Sequence, residues 1–151
     1  MTKPFVLQPL LDRSRGHLDE ATSELGRLIA QEQEGSRKLE MLQEYRREYL
    51  ARFRDAASDG LGVEALRNYG AFMARIDEAI EIQRKQLDQS QQRTAAGKQA
   101  WVNQRSRVKA FDTLHERHQE RQRSAEQKLE QRQADEHSSN LFARKASGEH
   151  D

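Results

Sequence analysis

The distribution of helix-breaking residues is the feature that most constrains how this chain folds. No proline follows Pro9, and the one cluster of helix breakers is Ser58-Asp-Gly-Leu-Gly62. A helix continues wherever nothing removes a backbone donor or clashes with the preceding turn. The sequence therefore predicts one helix over about residues 9–57, a turn over residues 58–62 and a second helix over about residues 63–140.

Composition restricts the core to a narrow seam between these helices. Hydrophobic residues make up 34% and aromatic residues 6% of the chain, which is too little apolar material for an ordinary globular core. Long runs of Ala, Leu, Glu, Gln, Arg and Lys nevertheless favour helix over disorder. We expect residues 1–140 to form a single hairpin and residues 141–151 to form a flexible tail.

Apolar residues recur with the heptad spacing of a coiled coil in both predicted helices. Because Gly60 is suited to the left-handed conformation that ends a helix, the chain is expected to fold back there. The predicted fold class is all-α, with two long helices that form an antiparallel coiled-coil hairpin and a second helix that is longer and overhangs the first. The expected apolar pairs are Phe53 with Leu66, Leu39 with Ile80, Leu18 with Trp101, and Leu11 with Val108.

Two stretches of the hairpin are expected to be weakly held. Past about Leu114 the second helix has no partner of comparable length, so this overhang needs a partner or frays. The middle of the seam is predicted to pack loosely, because polar or small residues stand where leucine would be expected. These residues are Glu32, Gly35, Gln83, Ser90, Thr94 and Gly97.

Charge and cysteine content argue against several classes of partner and location. The chain has 26 Lys and Arg against 25 Asp and Glu, a formal net charge of +1, which gives no strong field to attract nucleic acid or acidic lipid. The absence of cysteine fits a reducing compartment. The apolar run Phe5-Val-Leu7 is too short for a signal peptide or a membrane span. We therefore expect a cytoplasmic protein with no nucleic-acid partner and no direct membrane insertion.

Two short motifs resemble ligand-binding signatures but lack their essential features. His115 and His118 are three residues apart, whereas the helix of a zinc protease places its histidines four apart. Gly97-Lys98-Gln99 resembles the end of a phosphate-binding loop but lacks the following Ser or Thr and a preceding strand. A two-helix hairpin also has no enclosed cavity that could shift a pKa. We predict a protein that is not an enzyme and has no catalytic residue, no cofactor and no metal ion.

Aromatic residues gather on one side of the predicted hairpin. Tyr45 lies beside the seam, and folding the chain brings it to nearly the same height as Tyr49, Phe72 and Ile76. Tyrosine is well suited to contacts between proteins, because its ring is large and apolar and its hydroxyl is polar. Two interpretations stay open: these rings cover the seam, or they form a patch that binds a partner.

Three segments together give a more specific pattern: Leu39–Tyr49, Asn68–Ile80 and Val108–Arg117. Along the chain, these segments and the residues between them give the order Tyr-x3-Tyr, a short glycine turn, Asn-Tyr-x2-Phe, then a tryptophan and an aromatic-x2-Leu. On these residues the chain resembles the family of the flagellar export protein FliJ, from about Leu10 to Glu136. The resemblance implies an antiparallel coiled coil that is similar to the rotor stalk of rotary ATPases and is not itself an enzyme.

The resemblance also implies partners and a location. Family members insert into the hexameric ring of the flagellar export ATPase FliI, promote its assembly and activity, bind the export gate protein FlhA, and escort and recycle flagellar substrate chaperones. This implies a cytoplasmic protein that associates peripherally with the cytoplasmic face of the inner membrane through the export apparatus. Carried onto this sequence, the gate-binding face consists of Lys38, Leu42, Tyr45, Tyr49, Phe72, Ile76, Ala79 and Gln83.

Two other functions stay open from the sequence. One is the stalk of a virulence-type III secretion system, which would need the same hairpin with another ring. The other is a general coiled-coil scaffold that dimerises through its overhang. We expect a monomer when the protein is alone. A mass near 17.5 kDa would therefore favour either kind of stalk, flagellar or virulence-type, over the dimerising scaffold.

Overall fold

The computed structural model describes residues 3–148, which form two α-helices and no strand. Helix α1 spans Gln8–Ser58 (51 residues) and helix α2 spans Val63–Gly148 (86 residues). The two helices pack against each other in antiparallel order, which confirms the predicted all-α hairpin with a longer second helix. Neither helix, over the residues described, is long and apolar enough to cross a membrane.

The turn between the helices is made by the glycine predicted for it. Gly60 has a φ of 89°, in the left-handed region that favours glycine, and its N–H donates to the carbonyl of Ala57 at 3.2 Å. The Ser58 hydroxyl donates to the Asp55 carbonyl at 2.8 Å. These bonds satisfy carbonyl groups that the end of α1 would otherwise leave without a donor.

Helix α2 ends at Gly148, whereas the sequence predicted an end near residue 140. Residues 141–146, Leu-Phe-Ala-Arg-Lys-Ala, contain no strong breaker, and the next glycine is Gly148. Helical structure over residues 141–148 therefore corrects the predicted end point. Residues 149–151 of the predicted tail lie outside the described residues. The single domain over residues 1–140 and the flexibility of the chain end stay predictions.

Packing divides the chain into two units, which we describe separately. The first contains Met1–Gly16 and Arg105–Asp151, and the second contains His17–Gln104. In the first unit Leu11 is 1% exposed and Val108 is 9% exposed, so both members of this predicted pair are buried. From residue 123 onward every described residue of α2 is exposed, as expected for an overhang.

In the second unit the core is small and lies along the line where the helices meet. Leu28, Ile76 and Ile80 are its buried aliphatic residues. Leu66 is 46% exposed and the ring of Phe53 lies 5.2 Å from that of Tyr69, which is therefore a direct neighbour of Phe53. The pairing of Phe53 with Leu66 stays a prediction.

The middle of the seam is closely packed, contrary to the expectation of loose packing. A Cβ atom added at Gly97 would lie 2.6 Å from Cδ1 of Leu28, so the missing side chain lets the helices approach. The amide of Gln83 donates to the carbonyl of Gly35 at 3.1 Å, across the two helices. The hydroxyl of Thr94 lies 3.0 Å from the Ser90 carbonyl, within hydrogen-bonding distance. Small and polar residues here replace apolar contacts with close approach and hydrogen bonds.

Candidate partner-binding face

Five aromatic rings form a continuous cluster in the second unit. The ring centroids are 6.1 Å apart for Tyr45 and Phe72, 4.3 Å for Tyr49 and Phe72, and 5.2 Å for Tyr49 and Tyr69. Phe53 extends the cluster through its contact with Tyr69 at 5.2 Å. Tyr45, Tyr49 and Phe53 are spaced by four residues on α1, and Tyr69 and Phe72 by three residues on α2. Both spacings return to the same side of a helix, so both helices contribute rings to the cluster.

Exposure differs sharply among the residues of this cluster and its neighbour Ile76. Tyr45 is 47% exposed, so its ring is open to a partner. Tyr49 and Phe72 are half-buried and cover the seam while keeping one edge at the surface. Ile76 is 5% exposed and belongs to the core. Covering the seam and presenting a surface are therefore compatible for this set of residues.

The other members of the predicted face surround these rings. Leu42 and Ala79 are half-buried, and Lys38 is exposed. Gln83 is partly buried because its amide bonds to the other helix through the Gly35 carbonyl. The helical spacing of the eight residues and the contacts between their rings place them on one side of the second unit. Their role in binding a partner stays a prediction.

The environment of Tyr49 changes its acid–base behaviour. Burial of its hydroxyl in the cluster raises the pKa of Tyr49, and electrostatic interaction with Tyr69 and Tyr45 raises it further. A raised pKa keeps the phenol neutral over a wider range of pH. An uncharged Tyr49 hydroxyl suits a contact with apolar groups of a partner.

A polar groove adjoins the predicted face at Lys38 and Gln83. It has a volume of about 660 Å³, and residues that form it include Gly35, Lys38, Gln83, Ser90 and Arg93. Lys38 and Gln83 belong both to this groove and to the predicted face. The surface therefore continues from aromatic to polar along the two helices.

Sequence reasoning missed two exposed apolar residues beside the predicted face. Met41 is 64% exposed and precedes Tyr45 by one helical turn. Ile82 is 51% exposed and follows Ala79 by three residues, nearly one turn. Spacing alone could have placed both on this side, but heptad analysis assigns residues outside the a and d positions to the solvated surface. Their exposure is visible only in the structure.

The opposite side of the second unit carries charged side chains, two of which form an ion pair. Arg46 follows Tyr45 directly and therefore points to another side of α1. Its guanidinium donates to the carboxylate of Asp77 at 2.6 Å, and a groove of about 600 Å³ formed partly by Glu81 and Arg84 surrounds this pair. The aromatic side and this charged side thus offer different chemistry to a partner.

The two histidines weighed as metal ligands have another role in the first unit. The ring of Phe5 packs against His115 with centroids 5.1 Å apart and against His118 at 5.5 Å. Nε2 of His118 and the amide of Gln122 lie 3.0 Å and 2.6 Å from the carbonyl oxygen of Lys3. Both histidines therefore hold the segment before α1. Over residues 3–148, no group of three or more His, Cys, Asp or Glu side chains is arranged to hold a metal ion.

Comparison with known proteins identifies relatives across almost the whole chain. The family model described as "Flagellar FliJ protein" matches residues 3–147. A flagellar FliJ protein of Salmonella typhi is 28% identical over 145 residues, which cover 96% of this chain and 99% of that protein. The flagellar FliJ protein of Escherichia coli strain K12 is likewise 28% identical over 145 residues, with the same coverage of both chains. The chain belongs to the flagellar FliJ protein family.

Proposed function

We propose that this chain is a non-enzymatic component of the flagellar protein export apparatus that acts as a stalk for the export ATPase and as an adaptor to the export gate. Family membership over residues 3–147 supports a place in this apparatus and is the observation that carries the proposal. The helical hairpin fits a stalk, and the surface around Tyr45 fits an adaptor. The proposed location is the cytoplasm, with peripheral association at the cytoplasmic face of the inner membrane through the apparatus.

In this proposal the hairpin inserts into the ring of the export ATPase FliI and promotes the assembly and activity of that ring. A single asymmetric chain in the pore of a symmetric ring gives its subunits unequal surroundings, so their nucleotide-binding states need not be equal. The predicted face binds the export gate protein FlhA. The same chain escorts substrate chaperones and returns them for another round.

Titration of the purified cognate FliI with this protein tests the stalk. The ATPase is held at a concentration where its ring is only partly assembled, and hydrolysis and ring formation are measured together. We expect a saturable rise in the hydrolysis rate that follows ring formation. A protein that binds the assembled ring but not the separate subunits shifts the assembly equilibrium towards the ring. No change in either quantity, with the added chain helical and monomeric, would contradict the stalk and favour a virulence-type stalk or a scaffold.

The variant Tyr45→Ala with Phe72→Ala tests the adaptor. It removes two rings of the cluster that lie 6.1 Å apart, so we expect weaker binding to the cytoplasmic part of FlhA and impaired export with nearly unchanged helicity. Phe142→Ala is the matched control, because this ring is 77% exposed and lies in the first unit. Unchanged gate affinity in the double variant would remove the aromatic face from the proposal.

A further inference from the structure

Three large apolar side chains stand exposed together on the aromatic side of the second unit. Met41 is 64% exposed, Ile82 is 51% exposed and Tyr45 is 47% exposed. Met41 and Tyr45 lie one turn apart on α1, and Ile82 lies on α2 beside Ala79. None of the three belongs to the buried core. A cluster of exposed apolar side chains on a helical protein marks a surface that is covered by another molecule.

Two cations without a counter-charge lie on the same side of the second unit, where Lys38 precedes Met41 by three residues and Arg93 follows Ile82 by eleven. Lys38 and Arg93 both border the polar groove, and neither forms an ion pair with any of residues 3–148. The carboxylate of Glu34, which also borders the groove, lies 3.8 Å from the guanidinium of Arg37. The groove therefore leaves positive charge available to a ligand.

Two carboxylates of α2 at this level lie on the other side. Asp77 is paired with Arg46, and Glu81 borders the same charged groove. Residues of α2 that border the polar groove are amides, a serine and a cation: Gln83, Gln86, Gln89, Ser90 and Arg93. The two sides of the second unit therefore differ in charge as well as in aromatic content.

We infer that this surface binds an acidic amphipathic segment of the partner protein, whose apolar side chains contact Met41, Tyr45 and Ile82 and whose carboxylates contact Lys38 and Arg93. Charge complementarity selects this occupant, because a basic or purely apolar segment would leave both cations without a partner. The inference rests on the proposed function, since it specifies which chemistry the adaptor face recognises. It adds Met41, Ile82 and Arg93 to the residues expected to take part.

The dimensions of the surface fix the length of that segment. From Phe72, whose ring Tyr45 contacts, to Arg93 the axis of α2 advances by about 32 Å at 1.5 Å per residue. A helical segment of about 21 residues, or an extended segment of about nine, covers this distance. Its apolar residues belong towards the end at Tyr45, one carboxylate belongs opposite Lys38 and a second belongs at the far end opposite Arg93, which gives the bound segment a single direction.

Binding of the cytoplasmic part of the cognate FlhA to the full chain, measured by titration calorimetry over a range of salt concentrations, tests the inference. We expect Lys38→Glu with Arg93→Glu to weaken binding about 10-fold at low salt and to reduce its salt dependence. We expect Met41→Ala with Ile82→Ala to weaken binding about 10-fold at every salt concentration. All four side chains lie outside the buried core, so helicity should be retained.

A control variant changes charge on the opposite side. Arg84→Glu alters a side chain of the charged groove and should leave the affinity within about twofold of the wild type. Wild-type affinity in both double variants, together with weaker binding in Tyr45→Ala with Phe72→Ala, would overturn the inference and leave the adaptor face standing. No binding of FlhA to the wild-type chain would overturn both. A twofold mass for the wild type that falls to one chain in Met41→Ala with Ile82→Ala would instead assign the surface to a second copy.

Discussion

Gly97 is the residue whose replacement by alanine is predicted to strain the seam. Its added methyl group would lie 2.6 Å from Leu28 Cδ1 and 3.7 Å from Leu25 Cδ1, and Leu28 is 7% exposed, so it has little room to turn away. Alanine gains about 1 kcal/mol in helix propensity, whereas overpacking costs about 1 to 3 kcal/mol. We predict that Gly97→Ala unfolds with a free energy about 1 to 3 kcal/mol below that of Gly26→Ala, as followed by circular dichroism in urea.

Gly26→Ala is a matched control for this effect. It lies in the same unit and in a helix, but an added Cβ atom there meets no atom within 4 Å. Both replacements raise helix propensity by the same amount, but only Gly97→Ala crowds a neighbouring side chain. Equal free energies of unfolding for the two variants would show that Leu28 accommodates the methyl group without strain.

Tyr49 predicts an alkaline limit to stability. Burial and its tyrosine neighbours raise its pKa in the folded protein, so the folded chain holds this proton at a pH where the unfolded chain, with a pKa near 10, loses it. The contribution of Tyr49 to the free energy of unfolding is therefore complete below about pH 10, and it is lost as the pH rises through the pKa of Tyr49 in the folded protein. Between about pH 8 and about pH 11, we predict that the free energy of unfolding falls further in the wild type than in Tyr49→Phe.

The comparison with Tyr49→Phe isolates one phenol from the others that titrate in the same range. Phenylalanine keeps the ring beside Phe72, at 4.3 Å in the wild type, but carries no proton to lose. Urea unfolding of both proteins at each pH gives the difference directly. Parallel curves for the two proteins would mean that the environment of the Tyr49 hydroxyl does not favour its neutral form.

At the scale of a single element, the segment before α1 is held by side chains of α2. The Phe5 ring contacts both His115 and His118, and Gln8 N–H donates to the Phe5 carbonyl at 3.0 Å. An aromatic contact of this kind contributes about 0.5 to 1.5 kcal/mol beyond its buried area. We predict that Phe5→Ala raises hydrogen exchange of the amides in residues 5–11 by about 2- to 10-fold.

Val6→Ala serves as the comparison for this segment. The Val6 side chain is 86% exposed, so its truncation removes almost no contact. Its exchange rates should match those of the wild type, as should the rates of amides in the second unit for both variants. Equal exchange in Phe5→Ala and Val6→Ala would show that the hydrogen bonds to the Lys3 carbonyl hold the segment without the ring.

The elements themselves were predictable where breakers are strong and less so where they are weak. Glycine and aspartate near Gly60 fix the turn, so the predicted end of α1 and start of α2 agree with Gln8–Ser58 and Val63–Gly148. The end of α2 was missed because Ser138 and Ser139 only weakly disfavour helix, and strong helix formers follow them.

The candidate site was partly predictable for a different reason. Helical period and the resemblance together brought Tyr45, Tyr49 and Phe72 to one place, and the rings do meet there. The exposure of Met41 and the hydrogen bond of Gln83 to Gly35 depend on the axial offset between the helices and on rotamers. Sequence spacing fixes neither quantity, because a heptad pattern tolerates several offsets and assigns no rotamer.

At the scale of the whole molecule, the distribution of exposed apolar residues bears on self-association. The long exposed part of α2 beyond residue 122 carries three exposed large apolar residues, which are Leu129, Leu141 and Phe142. A stable interface between two chains usually buries at least about 1,000 Å² with a continuous apolar centre. Leu141 and Phe142 are adjacent, but residues 130–140, which separate them from Leu129, are polar or charged apart from Ala134, so the three do not supply such a centre.

We therefore predict a single-chain mass of 17.5 kDa in light scattering, unchanged over a wide range of protein concentration. The overhang then remains open to a different molecule, as the proposed stalk requires, rather than being covered by a second copy. A mass of twice this value that depends on concentration would contradict the prediction. In that case Leu141→Glu with Phe142→Glu decides whether the overhang holds the dimer, because loss of the dimer in this variant would place the contact on α2 and support the scaffold function.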